Sequence, residues 1–165
     1  MQAELLTNQQ GRLVVTRKSE DLTLWSFSKK EATEISKLRI ADLLFIWPLQ
    51  SPGKSWIFLM DSSYNWSLAD ENMHVYTQGK LLGIGKSVKP VAFSWYDNER
   101  WNLVIHLKRQ VLHYLSFTLV SGSIKCKTQE LILSNSAHWP CRSGQITQIS
   151  ALQGSVSKDF RVLSK

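Results

Sequence analysis

A seven-residue stretch near the start of the chain recurs near its end, and this repetition constrains the fold more than any other feature. Ser19 to Trp25 reads SEDLTLW and Ser157 to Leu163 reads SKDFRVL, which share the serine, the aspartate and three apolar positions. Looser copies lie at 70–76 and 110–114, and the second of these lacks the aspartate. A chain that repeats itself in this way predicts repeated structural units.

The spacing of the copies indicates the size of each unit. Each copy ends in a large residue, namely Trp25, Tyr76, Tyr114 and Leu163. The intervals between them are 51, 38 and 49 residues, close to the roughly 40–50 residues of one four-stranded propeller blade. We therefore predict that these four residues occupy equivalent strands.

Most of the chain has the strand pattern of short apolar or alternating runs between turn residues. Examples are 12–16, 43–47, 56–60, 103–107 and 111–117, which are rich in β-branched and aromatic residues. One segment leaves two alternatives open. Ser28 to Glu31 has the form of a capping box, and the apolar spacing that follows predicts either a short helix near 29–44 or an outer strand and a loop.

Residues 89–105, KPVAFSWYDNERWNLVI, resemble the opening of a WD40 repeat, with an apolar-Ala-Phe-Ser strand, an aspartate-bearing turn and a second apolar strand. The likeness is sharpest at 11–28 and 89–117. It implies that Trp25, Tyr76, Tyr114 and Leu163 fill the family's tryptophan position, and that Asp21, Asp70 and Asp159 are its aspartates. The family's Gly-His pair has one partial counterpart here, Ala137-His138.

The resemblance also implies an architecture. We expect residues 1–165 to form a single all-β domain of about four degenerate WD40-like blades of antiparallel strands, with an α+β fold containing one helix as the alternative. WD40 rings usually contain seven blades, so the expected structure is a partial propeller, either a fragment of a longer protein or a subunit completed by another chain.

The positive charge is concentrated in the second part of the chain. Residues 1–99 hold 11 basic and 11 acidic side chains, whereas residues 100–165 hold 9 basic side chains against Glu130 and Asp159. This imbalance predicts either an acidic partner, nucleic acid included, or a solvated basic surface that favours solubility.

The chemistry-bearing residues do not form a coherent catalytic or metal-binding set. Cys126 and Cys141 are too few for a disulfide framework, and His138 beside Cys141 falls short of the four ligands of a structural zinc site. We therefore expect a protein of the cytoplasm or nucleus that is not an enzyme and has no cofactor, no metal and no membrane association.

Aromatic and basic side chains intermingle after residue 94, which is typical of binding surfaces. The predicted partner-binding residues are Trp95, Tyr96, Arg100, Trp101, Lys108, Arg109, Lys125, Lys127, Trp139 and Arg142. The favoured hypothesis is a non-catalytic scaffold that binds protein partners, such as the remainder of a propeller or a multi-subunit complex. The alternative is an RNA- or DNA-binding component of a ribonucleoprotein that uses residues 100–165. Aromatic residues at strand spacing are also common in a core.

Overall fold

The computed structural model describes residues 2–8, 11–27, 30–82, 87–108, 111–132, 146–151 and 160–164. Within these ranges the chain forms fourteen strands and no helix, so the all-β prediction is confirmed. The described residues therefore include no helix that could span a membrane.

The strands form four antiparallel sheets in chain order. Sheet 1 contains β1 (Gln2–Asn8), β2 (Gly11–Lys18), β3 (Asp21–Phe27) and β4 (Ala32–Arg39). Sheet 2 contains β5 (Leu43–Ser51), β6 (Lys54–Asp61), β7 (Asn65–Ala69) and β8 (Val75–Lys80). Sheet 3 contains β9 (Ser87–Asp97), β10 (Arg100–Lys108), β11 (Val111–Val120) and β12 (Ser123–Ile132). Sheet 4 contains β13 (Ile146–Ala151) and β14 (Phe160–Ser164).

Tight turns connect several of these strands. Asn98 and Glu99 join β9 to β10 with φ values of 45° and 60°, and Ser121 and Gly122 join β11 to β12 with φ values of 49° and 79°. Two successive residues with positive φ are typical of two-residue hairpin turns, whose twist matches that of the flanking strands. The aspartate-bearing turn predicted after Trp95 is therefore a hairpin turn.

The sheets stack so that their first strands lie side by side, with β1 against β5, β5 against β9 and β9 against β13. The largest apolar core lies between sheets 2 and 3, and a second core joins sheets 1 and 2. Sheet 2 is thus covered on both faces, which explains why every residue from Ser55 to Met60 is buried. Among the described residues, sheet 4 does not pack on sheet 1 as β13 packs on β9, so the sheets do not close into a ring.

The helical alternative for residues 29–44 is wrong. Ala32–Arg39 is the outer strand of sheet 1 and pairs along its length with β3. Ser36, Leu38 and Ile40 are partly buried while the residues between them are exposed, which is the two-residue period of a strand. The helix-like spacing was incidental, because pairing with β3 determines which side chains face the core.

The predicted equivalence of the repeats holds for two copies and fails for the other two. Trp25 and Tyr114 both lie on third strands, β3 and β11. Tyr76 lies on β8, the fourth strand of sheet 2, and Leu163 lies on β14, the second strand of sheet 4.

The aspartates differ in the same way. Asp21 begins β3, whereas Asp70 lies in the turn before β8, where its Oδ1 accepts hydrogen bonds from the backbone N–H groups of Asn72 and His74 at 2.8 and 2.9 Å. Asp159 lies outside the described residues. Aspartate favours turns because its side chain hydrogen-bonds to nearby backbone groups. The same motif can therefore recur before strands that occupy different positions in their sheets.

Candidate functional site

The face of sheet 3 that is turned away from sheet 2 collects most of the described residues predicted to bind a partner. We call it the distal face. Because successive strand residues point to opposite sides, the pairing register defines its four rows. From β9 to β12 these rows are Val91, His106, Leu112, Leu131; then Phe93, Val104, Tyr114, Gln129; then Trp95, Asn102, Ser116, Lys127; and finally Asp97, Arg100, Thr118, Lys125.

The centre of the distal face is apolar and ordered by ring contacts. Val104 and Leu112 are 0% and 1% exposed, and partly buried aromatic residues surround them. Trp95 stacks on Tyr114 with ring centroids 6.1 Å apart and planes at 22°, and Phe93 lies 5.9 Å from Trp95. Because β13 also packs against β9, the centre of the distal face is largely covered, and the exposed part of this face lies at its turn end.

A short hydrogen-bond chain holds this centre in place. The Tyr114 hydroxyl donates to Asn102 Oδ1 at 2.7 Å, and Asn102 Nδ2 donates to Asp97 Oδ1 at 2.9 Å. The chain ties β11 to β10 and to the end of β9, and it satisfies the side chain of Asn102, which is only 2% exposed. Buried polar groups require such partners, so these contacts fix the geometry around Trp95.

Three cations lie at the turn end of the distal face, and we call Arg100, Lys125 and Lys127 the basic corner. All three side chains are exposed. None of them forms a salt bridge within the part of the chain that the structure describes. The Asp97 carboxylate, opposite Arg100, is the one acidic side chain in these distal rows of the described strands, so three cations against one anion leave the corner with an excess of positive charge.

Exposed apolar side chains border the basic corner. Leu119 and Val120, at the tip of the β11–β12 hairpin, are 37% and 40% exposed, and Tyr96 is 37% exposed beside the β9–β10 turn. Leu119 and Tyr96 pair with the core residues Ile124 and Trp101, so they lie on the side facing sheet 2. Val120 follows Thr118 at the strand period, so it lies on the same face as Lys125. Mixed apolar and cationic surface of this kind is common at protein interfaces.

Trp101, one of the predicted partner-binding residues, is instead part of the core. It is 5% exposed and meets Trp56 of sheet 2 edge to face, with ring centroids 5.6 Å apart. Leu103 and Ile105, at the same strand period, belong to the same core. The prediction failed because the sequence does not reveal which side of β10 the neighbouring sheet covers.

The other predicted residues are only partly located. Lys108 is the last residue of β10 and pairs with Val111, at the end of the sheet opposite to Arg100. Arg109, Trp139 and Arg142 lie outside the described residues.

The hairpin tip at Leu119 and Val120 was not among the predicted binding residues, and the predicted strand at 111–117 ends before it. A usable signal was present. In the segment SIKCKTQ, Ile124 and Cys126 alternate with Lys125 and Lys127, and Ile124 is buried while both lysines are exposed. That alternation is typical of a half-buried strand.

A cavity lies where sheets 2 and 3 meet. Its volume is about 300 Å³, and its lining includes Trp47, Pro48, Gln50 and Ser94. The indole Nε1–H of Trp47 donates to Ser94 Oγ at 2.9 Å across the two sheets. This hydrogen bond joins the first strands of the two sheets, so we assign this part of the cavity wall a structural role.

The described residues contain no group of three or more His, Cys, Asp or Glu side chains placed to hold a metal ion. His138 and Cys141, considered above as a pair, lie outside those residues. Cys126 is described and packs against the core between sheets 2 and 3.

Cys126 is expected to react slowly with thiol reagents. Burial raises its pKa from 9.0 to about 12, so the thiol stays protonated at neutral pH, and only the thiolate is nucleophilic. In a Cys141→Ser background, iodoacetamide at about pH 8 should alkylate Cys126 at least about tenfold more slowly in the folded protein than in urea. Equal rates in the two states would contradict the burial of this thiol.

Comparison with known proteins identified one informative neighbour. The fold is similar to that of a chain in a solved structure described as the complex of the fission yeast SREBP–SCAP binding domains, with a TM-score of 0.64 and 14% sequence identity. The similarity covers 90% of the present chain and 39% of that one. No family model matches the sequence. No curated protein matches it either.

Proposed function

We propose that this chain is a non-catalytic interaction module, a WD40-like propeller scaffold that uses the exposed turn end of the distal face, at the basic corner, to hold a protein partner in an intracellular complex. The observation that carries the proposal is the combination, on one face, of the stacked Trp95 and Tyr114 rings with the basic corner. Interfaces commonly place aromatic anchors within a more polar rim.

The stacking of the sheets supports the scaffold part of this proposal. Three antiparallel four-stranded sheets follow one another with their first strands side by side, as expected for propeller blades. Sheet 4 has only two strands among the described residues. A partner or a further segment that supplied more strands would extend sheet 4, which agrees with the hypothesis of a partial propeller.

The structural neighbour adds support of a limited kind. Its description names binding domains in a complex, and the present chain spans 39% of its length. We infer from this that stacked sheets of this shape suit protein recognition. The partners of the neighbour are not assigned to the present chain.

A protein partner is favoured over nucleic acid because the faces of the predicted tryptophan rings that the structure describes are covered. Stacking on bases requires open ring faces. Trp101 is buried against Trp56, and Trp95 is occupied by Tyr114. Among the described residues, Tyr96 is 37% exposed, but it pairs with Trp101 and so lies on the opposite side of sheet 3 from the basic corner.

Changing one exposed apolar side chain and one cation on the distal face should release the partner. We expect the variant Val120→Ala with Arg100→Glu to lose about tenfold or more of its affinity, because both side chains are exposed on that face and loss of a single interface anchor costs about 2 kcal/mol or more. The measurement is proximity labelling in cells, followed by reconstitution of the purified complex and light scattering after size exclusion.

The matched control is Phe27→Ala, because Phe27 is 45% exposed on sheet 1, away from the distal face. The control should retain the complex. If both variants retain it, or if the wild-type chain forms no stoichiometric complex with any labelled protein, the proposed function is wrong.

A further inference from the structure

The open edge of β12 adjoins the basic corner. Sheet 3 has the order β12-β11-β10-β9, so β12 pairs with β11 on one side and with no strand on the other among the described residues. Lys125 and Lys127 both lie on the distal side of this strand. Two residues along a strand span about 7 Å, so the lysines form a regularly spaced pair of charges beside unpaired backbone groups.

The acidic side chains near β12 do not neutralise this pair. Glu130 lies on the opposite side of the strand, where its carboxylate is 3.8 Å from His113 Nδ1. Asp97 lies in the same row as Lys125 but on β9, three strands away, and accepts a hydrogen bond from Asn102. The charge along the distal side of β12 is therefore positive.

Lysines on an edge strand also have a simpler explanation, since they discourage unwanted pairing with other chains. Two features of this edge go beyond that role. Arg100 adds a third cation from the interior strand β10. Val120, at the end of the same hairpin, is 40% exposed and lies on the same face as Lys125. A purely protective edge has no use for an exposed apolar side chain beside its charges.

We propose that the edge of β12 binds an acidic, extended segment of a partner protein, which adds to sheet 3 as a fifth strand. This inference rests on the proposed interaction function and names the chemistry of its partner. An added strand places alternate side chains directly opposite Lys125 and Lys127, where opposite charges stabilise the pairing. The main-chain hydrogen bonds supply affinity, and the alternating carboxylates opposite Lys125 and Lys127 supply selectivity.

The test uses the full chain and a short fluorescein-labelled peptide of alternating valine and glutamate. Fluorescence anisotropy should show binding that the variant Lys125→Glu with Lys127→Glu weakens by about tenfold or more, because two attractive cross-strand pairs become repulsive. The same variant should gain affinity for a peptide of alternating valine and lysine. Hydrogen exchange should show added protection of the β12 amides when the acidic peptide binds.

The matched control is Lys18→Glu with Lys37→Glu, which changes the net charge equally on sheet 1. It should leave binding of the acidic peptide unchanged. Absence of binding, an equal loss in the control, or tighter binding of a single-stranded oligonucleotide at physiological salt would overturn the proposal.

These outcomes can be separated from those of the proposed function. If the chain forms a complex in cells that depends on Val120 and Arg100 but does not bind the acidic peptide, only the inference about β12 fails. If the peptide binds as expected but no cellular complex forms, the proposed function fails, while the inference that the edge of β12 binds an acidic segment stands.

Discussion

Phe58→Ala should lower the free energy of unfolding by about 3–5 kcal/mol, the range measured when large aromatic residues are removed from a core. Phe58 lies on β6, is 0% exposed, and belongs to the core between sheets 2 and 3. Its ring centroid lies 5.8 Å from that of Trp66 and 6.3 Å from that of Phe117. Truncation therefore leaves a cavity between two sheets that rigid aromatic rings cannot refill.

Urea denaturation followed by tryptophan fluorescence measures this effect. Phe27→Ala makes the same chemical change at a side chain that is 45% exposed, so it should cost about 1 kcal/mol or less, as expected for partial loss of contact area. Similar losses in the two variants would contradict the placement of the core between sheets 2 and 3.

Gly79→Ala should destabilise the protein by about 3 kcal/mol, at the upper end of the cost of overpacking. Gly79 on β8 is directly opposite Trp66 on β7, and a Cβ at this position would lie 2.6 Å from the indole ring. The ring cannot move away easily, because Phe58 stacks on it and Phe117 meets it edge to face. Glycine is required here by the close approach of an indole to the backbone.

A double-mutant cycle tests this explanation. Trp66→Phe replaces the indole with a smaller ring, so the cost of Gly79→Ala should fall clearly in the Trp66→Phe background. Gly122→Ala is the control, since a Cβ there meets nothing within 4 Å and the φ of +79° alone accounts for its cost, about 1–2 kcal/mol. That cost should not depend on residue 66. A Gly79→Ala cost that is unchanged in the Trp66→Phe background would disprove the clash.

Local signals predicted the strands well. Runs such as Trp56 to Met60 and Leu103 to Leu107 combine strand-forming residues with clear turn boundaries, and both lie within strands of the structure. The turn after Trp95 was also predictable, because Asp and Asn residues between two apolar runs favour a turn of the backbone. β1 and β7 were not predicted, because polar residues interrupt their apolar positions and leave a weak strand pattern.

The candidate site was only half predictable. Arg100, Lys125 and Lys127 were identified from their charge, but their proximity depends on the registers of two strand pairs, β10 with β11 and β11 with β12. Trp95 and Trp101 are equally aromatic in the sequence, yet one stacks on Tyr114 on the distal face and the other is buried against Trp56. Strand period determines that two residues point to opposite sides of β9 or β10, but not which side another sheet covers.

The amino-acid sequence by itself thus determined the all-β class, the tight hairpins and the concentration of positive charge after residue 99, because each follows from local backbone preference or from composition. The tertiary structure decided which repeats are equivalent, which face of each sheet is buried, and which cations meet at the edge of β12. These properties depend on contacts between residues far apart in the chain, and the pairing energies that select one register and one stacking partner exist only once the sheets have formed.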